Sequence, residues 1–144
     1  MRELKEELKL NRFGDVYEIS KNEWMTEVTE ASKSCWVVVL LYVNSLVDCG
    51  VMESVMIQLA KKFMKVKFLK IRSTSAIENW PESNLPTIFV YHDGELQDQL
   101  LTLKSLGGAS MIADGRGLHL FIKFISLKQI LNGGLLNEIL LKVI

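Results

Sequence analysis

Trp36-Val37-Val38-Val39-Leu40-Leu41-Tyr42-Val43 is apolar throughout. An unbroken β-branched run of this length predicts a central strand covered on both faces. Asn44-Ser45-Leu46-Val47-Asp48 breaks the run. Met52, Val55, Met56, Leu59 and Phe63 then recur at the spacing of one helix face. Asp48 suits the N-cap of that helix and Glu53 its first turn, and Lys61, Lys62 and Lys65 suit its C-terminal end. Before the central strand, Phe13 to Ile19 alternates and predicts a first strand. Ser20-Lys21-Asn22-Glu23 is a capping box, and Trp24, Val28 and Ala31 follow at helical spacing, so a helix is predicted from Lys21 to Ala31.

After the Met52 helix, Val66 to Ile71 alternates and reads as a strand, and Ser73 to Asn79 as a loop with one helical turn. Asn84-Leu85-Pro86-Thr87-Ile88-Phe89-Val90-Tyr91 is the most informative stretch. Thr87 to Tyr91 has the composition of a buried strand, and Asp93-Gly94 closes a hairpin whose second arm is Glu95 to Leu100. Pro86 cannot donate to a ladder, so it stands at the strand's start or just before it, and Leu85-Pro86 is a candidate cis bond. The order β-α-β-α-β-α-β-β predicts an α/β fold: a mixed sheet with helices on both faces.

Three segments are expected. Residues 1–12 form a helical stub, with Leu4 and Leu8 one turn apart, and 13–108 form the domain. Residues 109–144 form an apolar tail in which Leu118 to Ile125 reads as a strand. Leu135, Leu136, Ile139, Leu140 and Val143 read there as one face of a closing helix. The 144 residues make one domain. With 17 basic and 17 acidic residues the chain has no basic excess to recommend a nucleic-acid partner. No apolar run approaches the ~20 residues of a membrane span. The charged start is not a secretory signal, and two cysteines are not a disulfide framework, so a reducing, cytoplasmic setting is expected.

Candidate chemistry narrows to few residues. A dithiol redox site needs a thiolate at a helix N-terminus with a second cysteine three residues on. In Leu46-Val47-Asp48-Cys49 the nucleophile's place is Leu46, and only the second place is filled, by Cys49. Cys35 lies at the other end of the central strand. At ~3.3 Å per residue, about eight residues separate the thiols by more than about 20 Å, whereas a disulfide needs Cα atoms within ~7 Å. Cys49 therefore reads as a small buried hydrophobe, with a lone reactive thiol as the alternative. His92 beside the turn reads as an exposed loop residue, and His119 is isolated. These residues assemble no metal set. Gly107-Gly108 and Gly115-Arg116-Gly117 read as turns rather than a phosphate loop, and Met52, Met56 and Met64 as core.

A proline entering a buried strand ahead of an Asp-Gly hairpin resembles the second half of a thioredoxin fold, in which a cis-proline turn faces the active-site helix. A more specific likeness rests on Phe13 to Ser20, Glu27-Val28-Thr29, Trp36-Val37-Val38 with Leu41-Tyr42, Asn79-Trp80-Pro81, and Asn84 to Tyr91. Over Phe13 to Gly108 these resemble the thioredoxin-like domain of the phosducin-like proteins, in particular the branch of phosducin-like proteins 2 and 3. The resemblance implies a cytosolic, non-enzymatic cochaperone without cofactor or metal. Such proteins bind the cytosolic chaperonin and assist folding of actin, tubulin and G-protein β subunits. It also implies the loss of the first active-site cysteine, in line with Leu46. Some members of the family bind G-protein βγ through an N-terminal helical region plus the thioredoxin-like domain; Met1 to Arg12 reads as a stub of that region, so this partner is a weaker expectation than the chaperonin. The family's acidic tail is missing, and 109–144 reads either as a divergent closing element or as a product of alternative splicing or of a mispredicted gene model. Leu46, Val47, Leu85 and Pro86 form the candidate peptide-facing groove, with backbone pairing just before Pro86. The rival readings are a monothiol oxidoreductase using Cys49 and a partly folded product without function.

Overall fold

The computed structural model describes residues 13–106. The readings placed on residues 1–12 and 107–144, among them His119, the glycine breaks, the tail strand and the closing helix, lie outside the described residues. Five strands form one mixed sheet: β1 Val16–Glu18, β2 Val37–Tyr42, β3 Lys67–Arg72, β4 Thr87–His92 and β5 Glu95–Leu101, in the order β1-β3-β2-β4-β5. β1 and β2 both run parallel to β3, whereas β4 is antiparallel to β2 and to β5. This is the predicted α/β architecture. β1 is shorter than the predicted strand over Phe13 to Ile19.

All six residues of β2 are buried, as a strand covered on both faces requires. The registers Val38↔Phe68 and Val39↔Phe89 sort the side chains. Val38, Leu40 and Phe68 share one face with Lys70, which pairs with Glu53 on helix α1, Val47–Lys62. Val39, Leu69 and Phe89 share the other, where Trp24 stands edge-on to Phe89 and Tyr91.

Helix α1 buries Cys49, Met52, Val55, Met56, Leu59 and Ala60. Its N-cap is Leu46, not Asp48 as the sequence suggested. Leu46 is still extended, and its carbonyl accepts the first helical bond, from Cys49 N–H at 3.2 Å. Asp48 is the second helical residue, within the first turn, where its charge still favours the dipole. Met64 also departs from expectation, since it lies past the helix end and is 40% exposed. Gly50 is exposed, and a Cβ there would meet nothing within 4 Å. Glycine in a helix interior costs roughly 0.5–1 kcal/mol relative to alanine. Gly50→Ala is therefore expected to stabilise the domain by about that amount, read as a higher urea midpoint at unchanged slope.

The segment predicted as an α-helix from Lys21 to Ala31 is composite. A 3₁₀ turn, Lys21–Glu23, leads into a π-helix, Met25–Glu30, and a second 3₁₀ turn, Ala31–Lys33. The capping box is present: the Glu23 carboxylate accepts from Ser20 N–H at 3.1 Å and from its hydroxyl at 2.9 Å. The departure from α geometry has a visible partner. Buried Lys67 donates to the Glu27 carbonyl at 3.0 Å and pairs with the Glu27 carboxylate. A side chain that engages a helix carbonyl from outside draws it off the regular ladder. Alternation alone did not mark Lys67 as buried. A strand covered on both faces has no solvent side, so the lysine must be paired.

Helix α2, Ser73–Ala76, is the single predicted turn. The Asp93-Gly94 turn carries φ values of 55° and 79°. Left-handed backbone at both central positions is what a two-residue hairpin turn of the primed type needs. Buried Ser32 clamps it: Asp93 N–H donates to the Ser32 carbonyl at 2.8 Å and Gly94 N–H to its hydroxyl at 2.9 Å. His92 is not a loop residue. It ends β4 and stacks on Trp36 at 3.9 Å between ring centroids, with Nδ1 3.2 Å from Asp93.

Candidate functional site at the start of helix α1

The chain leaves β2 through Val43 to Leu46 and enters α1 beside the turn that leads into β4. That turn is a 3₁₀ piece, Glu82–Asn84, followed by Leu85 and a cis peptide bond to Pro86. Hydrogen bonds hold it, beginning with Asn84 N–H to the Pro81 carbonyl at 3.0 Å. Leu85 N–H donates to the Glu82 carbonyl at 3.0 Å, and Thr102 N–H to the Pro86 carbonyl at 2.8 Å. The Thr87 hydroxyl donates to the Asn84 carbonyl at 2.6 Å and receives the Trp80 indole N–H at 3.0 Å. Trp80 in turn stands edge-on to Phe89.

Between this turn and the start of α1 lies a groove of about 370 Å³. Leu46, Val47, Leu85 and Leu103 give it apolar walls, and Asp48, Glu82 and Lys104 carry its charges. The fold thus brings together three of the four expected groove residues. Val47 is 81% exposed at the first helical position, whereas Leu85 is largely buried. Pro86 is buried and does not line the groove. Backbone pairing just before Pro86 meets an obstacle, because Leu85 N–H is already spent on Glu82. Leu103, Glu82 and Lys104 went unread in the sequence. Leu103 and Lys104 come to the groove from the far end of β5, a juxtaposition that no local pattern encodes.

Cys49 sits on the core side of α1 and is 2% exposed. Burial pushes its thiol above the ordinary value of 9.0, opposed by a hydrogen bond from the Val43 backbone and reinforced by Asp48. A buried, protonated thiol is a poor nucleophile. Both cysteines are free, at opposite ends of β2. Cys49 in the folded chain is expected to resist iodoacetamide and to react fully in denaturant, as read by mass spectrometry at neutral pH.

Three more groups carry raised values. Burial raises Tyr42, with Glu18 adding to the effect; burial raises Tyr91; and the bond to Glu53 raises Lys70. A group whose value is raised on folding stabilises the native state below its unfolded value, and that stability is lost as pH rises through the folded value. The ordinary values are 9.0 for Cys49, 10.0 for the tyrosines and 10.5 for Lys70. These four groups therefore contribute fully near neutral pH, and their contribution falls above about pH 9. Urea midpoints are expected to hold between about pH 7 and 8.5 and to fall by about pH 10.5.

Among the described residues no group of histidine, cysteine and acidic side chains can hold a metal ion, and no helix is long and apolar enough to cross a membrane. A family model described as phosducin matches residues 1–114. The chain is 44% identical over 108 residues to a phosducin-like protein of Schizosaccharomyces pombe, covering 75% of this chain and 46% of that one. It is 44% identical over 108 residues to phosducin-like protein 2 of Dictyostelium discoideum, covering 75% and 45%. It is 39% identical over 104 residues to phosducin-like protein 3 of Mus musculus, covering 72% and 43%. The chain thus spans less than half the length of these relatives. Thioredoxin f from spinach chloroplast, in its long form, superimposes with a TM-score of 0.60 at 16% identity, over 86% of this chain and 93% of that one. That likeness fixes the fold as thioredoxin-like. With its sequence matched over most of the described domain, the chain belongs to the phosducin family.

Proposed function

We propose that this chain is a non-catalytic cochaperone-type binding protein that works in the cytoplasm with the cytosolic chaperonin and its clients. The observation that carries the reading is the apolar groove at the start of α1, in a phosducin-family chain with leucine where a thioredoxin fold would place its nucleophile. Leu46, Val47 and Leu85 offer contact area and no chemistry, so binding rather than turnover is what this end of the fold supports. Actin, tubulin and G-protein β subunits are the clients the family likeness suggests. G-protein βγ is a weaker candidate, because in the family likeness its binding draws on a helical region besides the thioredoxin-like domain. The redox alternative through Cys49 has burial and a raised thiol against it.

The test is co-migration of the purified, folded chain with cytosolic chaperonin on a native gel. A stable shifted band supports the reading. No shift, from a chain that unfolds cooperatively, counts against it.

A further inference from the structure

The groove at the start of α1 carries charges that the fold does not use. Buried Leu85 and Leu103 form its floor, and exposed Val47 stands at its rim. Three exposed charged side chains share that rim: Asp48, Glu82 and Lys104. Among the described residues, none of the three makes a side-chain hydrogen bond or ion pair. Glu27 and Glu53, by contrast, are spent on Lys67 and Lys70. The rim therefore offers two carboxylates against one ammonium.

The backbone places each of these charges. Asp48 lies in the first turn of α1. Glu82 opens the 3₁₀ piece before Leu85, and its carbonyl accepts from Leu85 N–H at 3.0 Å. Lys104 arrives through Thr102, whose φ of 64° is left-handed, a conformation that β-branched residues rarely adopt. Thr102 N–H donates to the Pro86 carbonyl at 2.8 Å, and its hydroxyl accepts from Lys104 N–H at 3.3 Å. The chain turns off β5 at this point, which brings Leu103 to the floor and Lys104 to the rim.

Two observations limit what can enter. Leu85 N–H and Thr102 N–H are already bonded, so these donors are closed to main-chain pairing and recognition falls to side chains. The volume of about 370 Å³ is at the small end of the ~300–1,000 Å³ of ligand pockets, room for a side chain and its flanks. We infer that the groove selects a basic-apolar-basic segment of its protein partner. One large apolar side chain sits on Leu85, Leu103 and Val47, and a lysine or arginine on either side of it meets Asp48 and Glu82. Lys104 opposes a longer cationic run. Complementary charge of this kind sets specificity and on-rate more than affinity. The inference rests on the reading of this groove as the binding face, and adds the partner's chemistry to it.

The probe is the peptide Gly-Arg-Leu-Arg-Gly, titrated into the full chain and followed by amide shift mapping, which reads weak binding. Saturable shifts are expected at Leu46 to Asp48, at Leu85, and at Leu103 and Lys104. Glu82→Lys is expected to weaken binding about two- to fivefold and Lys104→Glu to strengthen it by a similar factor, the size of an exposed ion pair. A role in folding alone would not give the two variants opposite signs. Gly-Glu-Leu-Glu-Gly and Gly-Arg-Gly-Arg-Gly are both expected to bind more weakly than the probe. Equal or tighter binding of either one, no shifts with the probe, or variants that move affinity in the same direction overturn the inference. Shifts at these residues that grow with protein concentration, without peptide, identify a second copy as the occupant and also overturn it. The native gel separates the two readings. A chain that shifts with chaperonin but ignores the probe sinks this inference alone; one that takes the probe but shows no chaperonin shift sinks the cochaperone reading alone.

Discussion

Phe68→Ala is expected to destabilise the domain by about 3–5 kcal/mol, the usual range for an aromatic removed from a packed core. Phe68 is fully buried on the strand that joins both parallel pairs, opposite Val38 on one side and Val16 on the other. Its face lies against α1, so a cavity there loosens the contact that holds the helix on the sheet. The expected loss is a large share of the ~5–15 kcal/mol by which a domain of this size is stable. Chemical denaturation followed by tryptophan fluorescence reads it as a fall in midpoint. A loss below about 1 kcal/mol would mean that β3 is not the core strand described above.

Val47→Asp is expected to abolish or weaken chaperonin binding by at least about tenfold, which corresponds to about 1.4 kcal/mol. It should leave stability within about 0.5 kcal/mol, as surface substitutions do. The residue is 81% exposed at the first position of α1 and lines the groove. A carboxylate there desolvates poorly against an apolar partner, while the helix N-terminus accommodates the charge in the free chain. Leu85→Asp is not an equivalent test. Leu85 is 5% exposed, so an aspartate there leaves a charge in the core and unfolds the turn. A stable Val47→Asp chain that binds as well as the original removes the groove from the account. Leu46→Asp, at a partly buried position, is expected to weaken binding too, with some loss of stability.

Period and composition carried most of the fold. The apolar run of β2 announced its double burial, and the Asp93-Gly94 dipeptide announced the hairpin, because both are local statements about backbone and solvent. The departures have physical reasons that are not local. The π-helix depends on Lys67, which is distant in sequence and reaches Glu27 only once β3 is in place. Asp48 has the chemistry of an N-cap, but the carbonyl of Leu46 takes the first bond, so the helix begins two residues earlier. His92 finds Trp36 only through the β2–β4 pairing. At the candidate groove the α1 side and Leu85 were legible from the empty nucleophile position and the cis-proline pattern. Leu103 and Lys104 were not, because they come from beyond the second arm of the hairpin. Pro86, expected in the groove, is instead buried and is not among the residues that line it.

The most direct test of the groove as the binding face is site-specific photocrosslinking to purified cytosolic chaperonin. A benzophenone amino acid is placed at Val47 and, in a second chain, at Leu96, an exposed position on β5 that does not line the groove. Crosslinks to chaperonin subunits from position 47 and few or none from position 96 are the result the account predicts. Crosslinks from position 96 alone, with both chains folded, would contradict it.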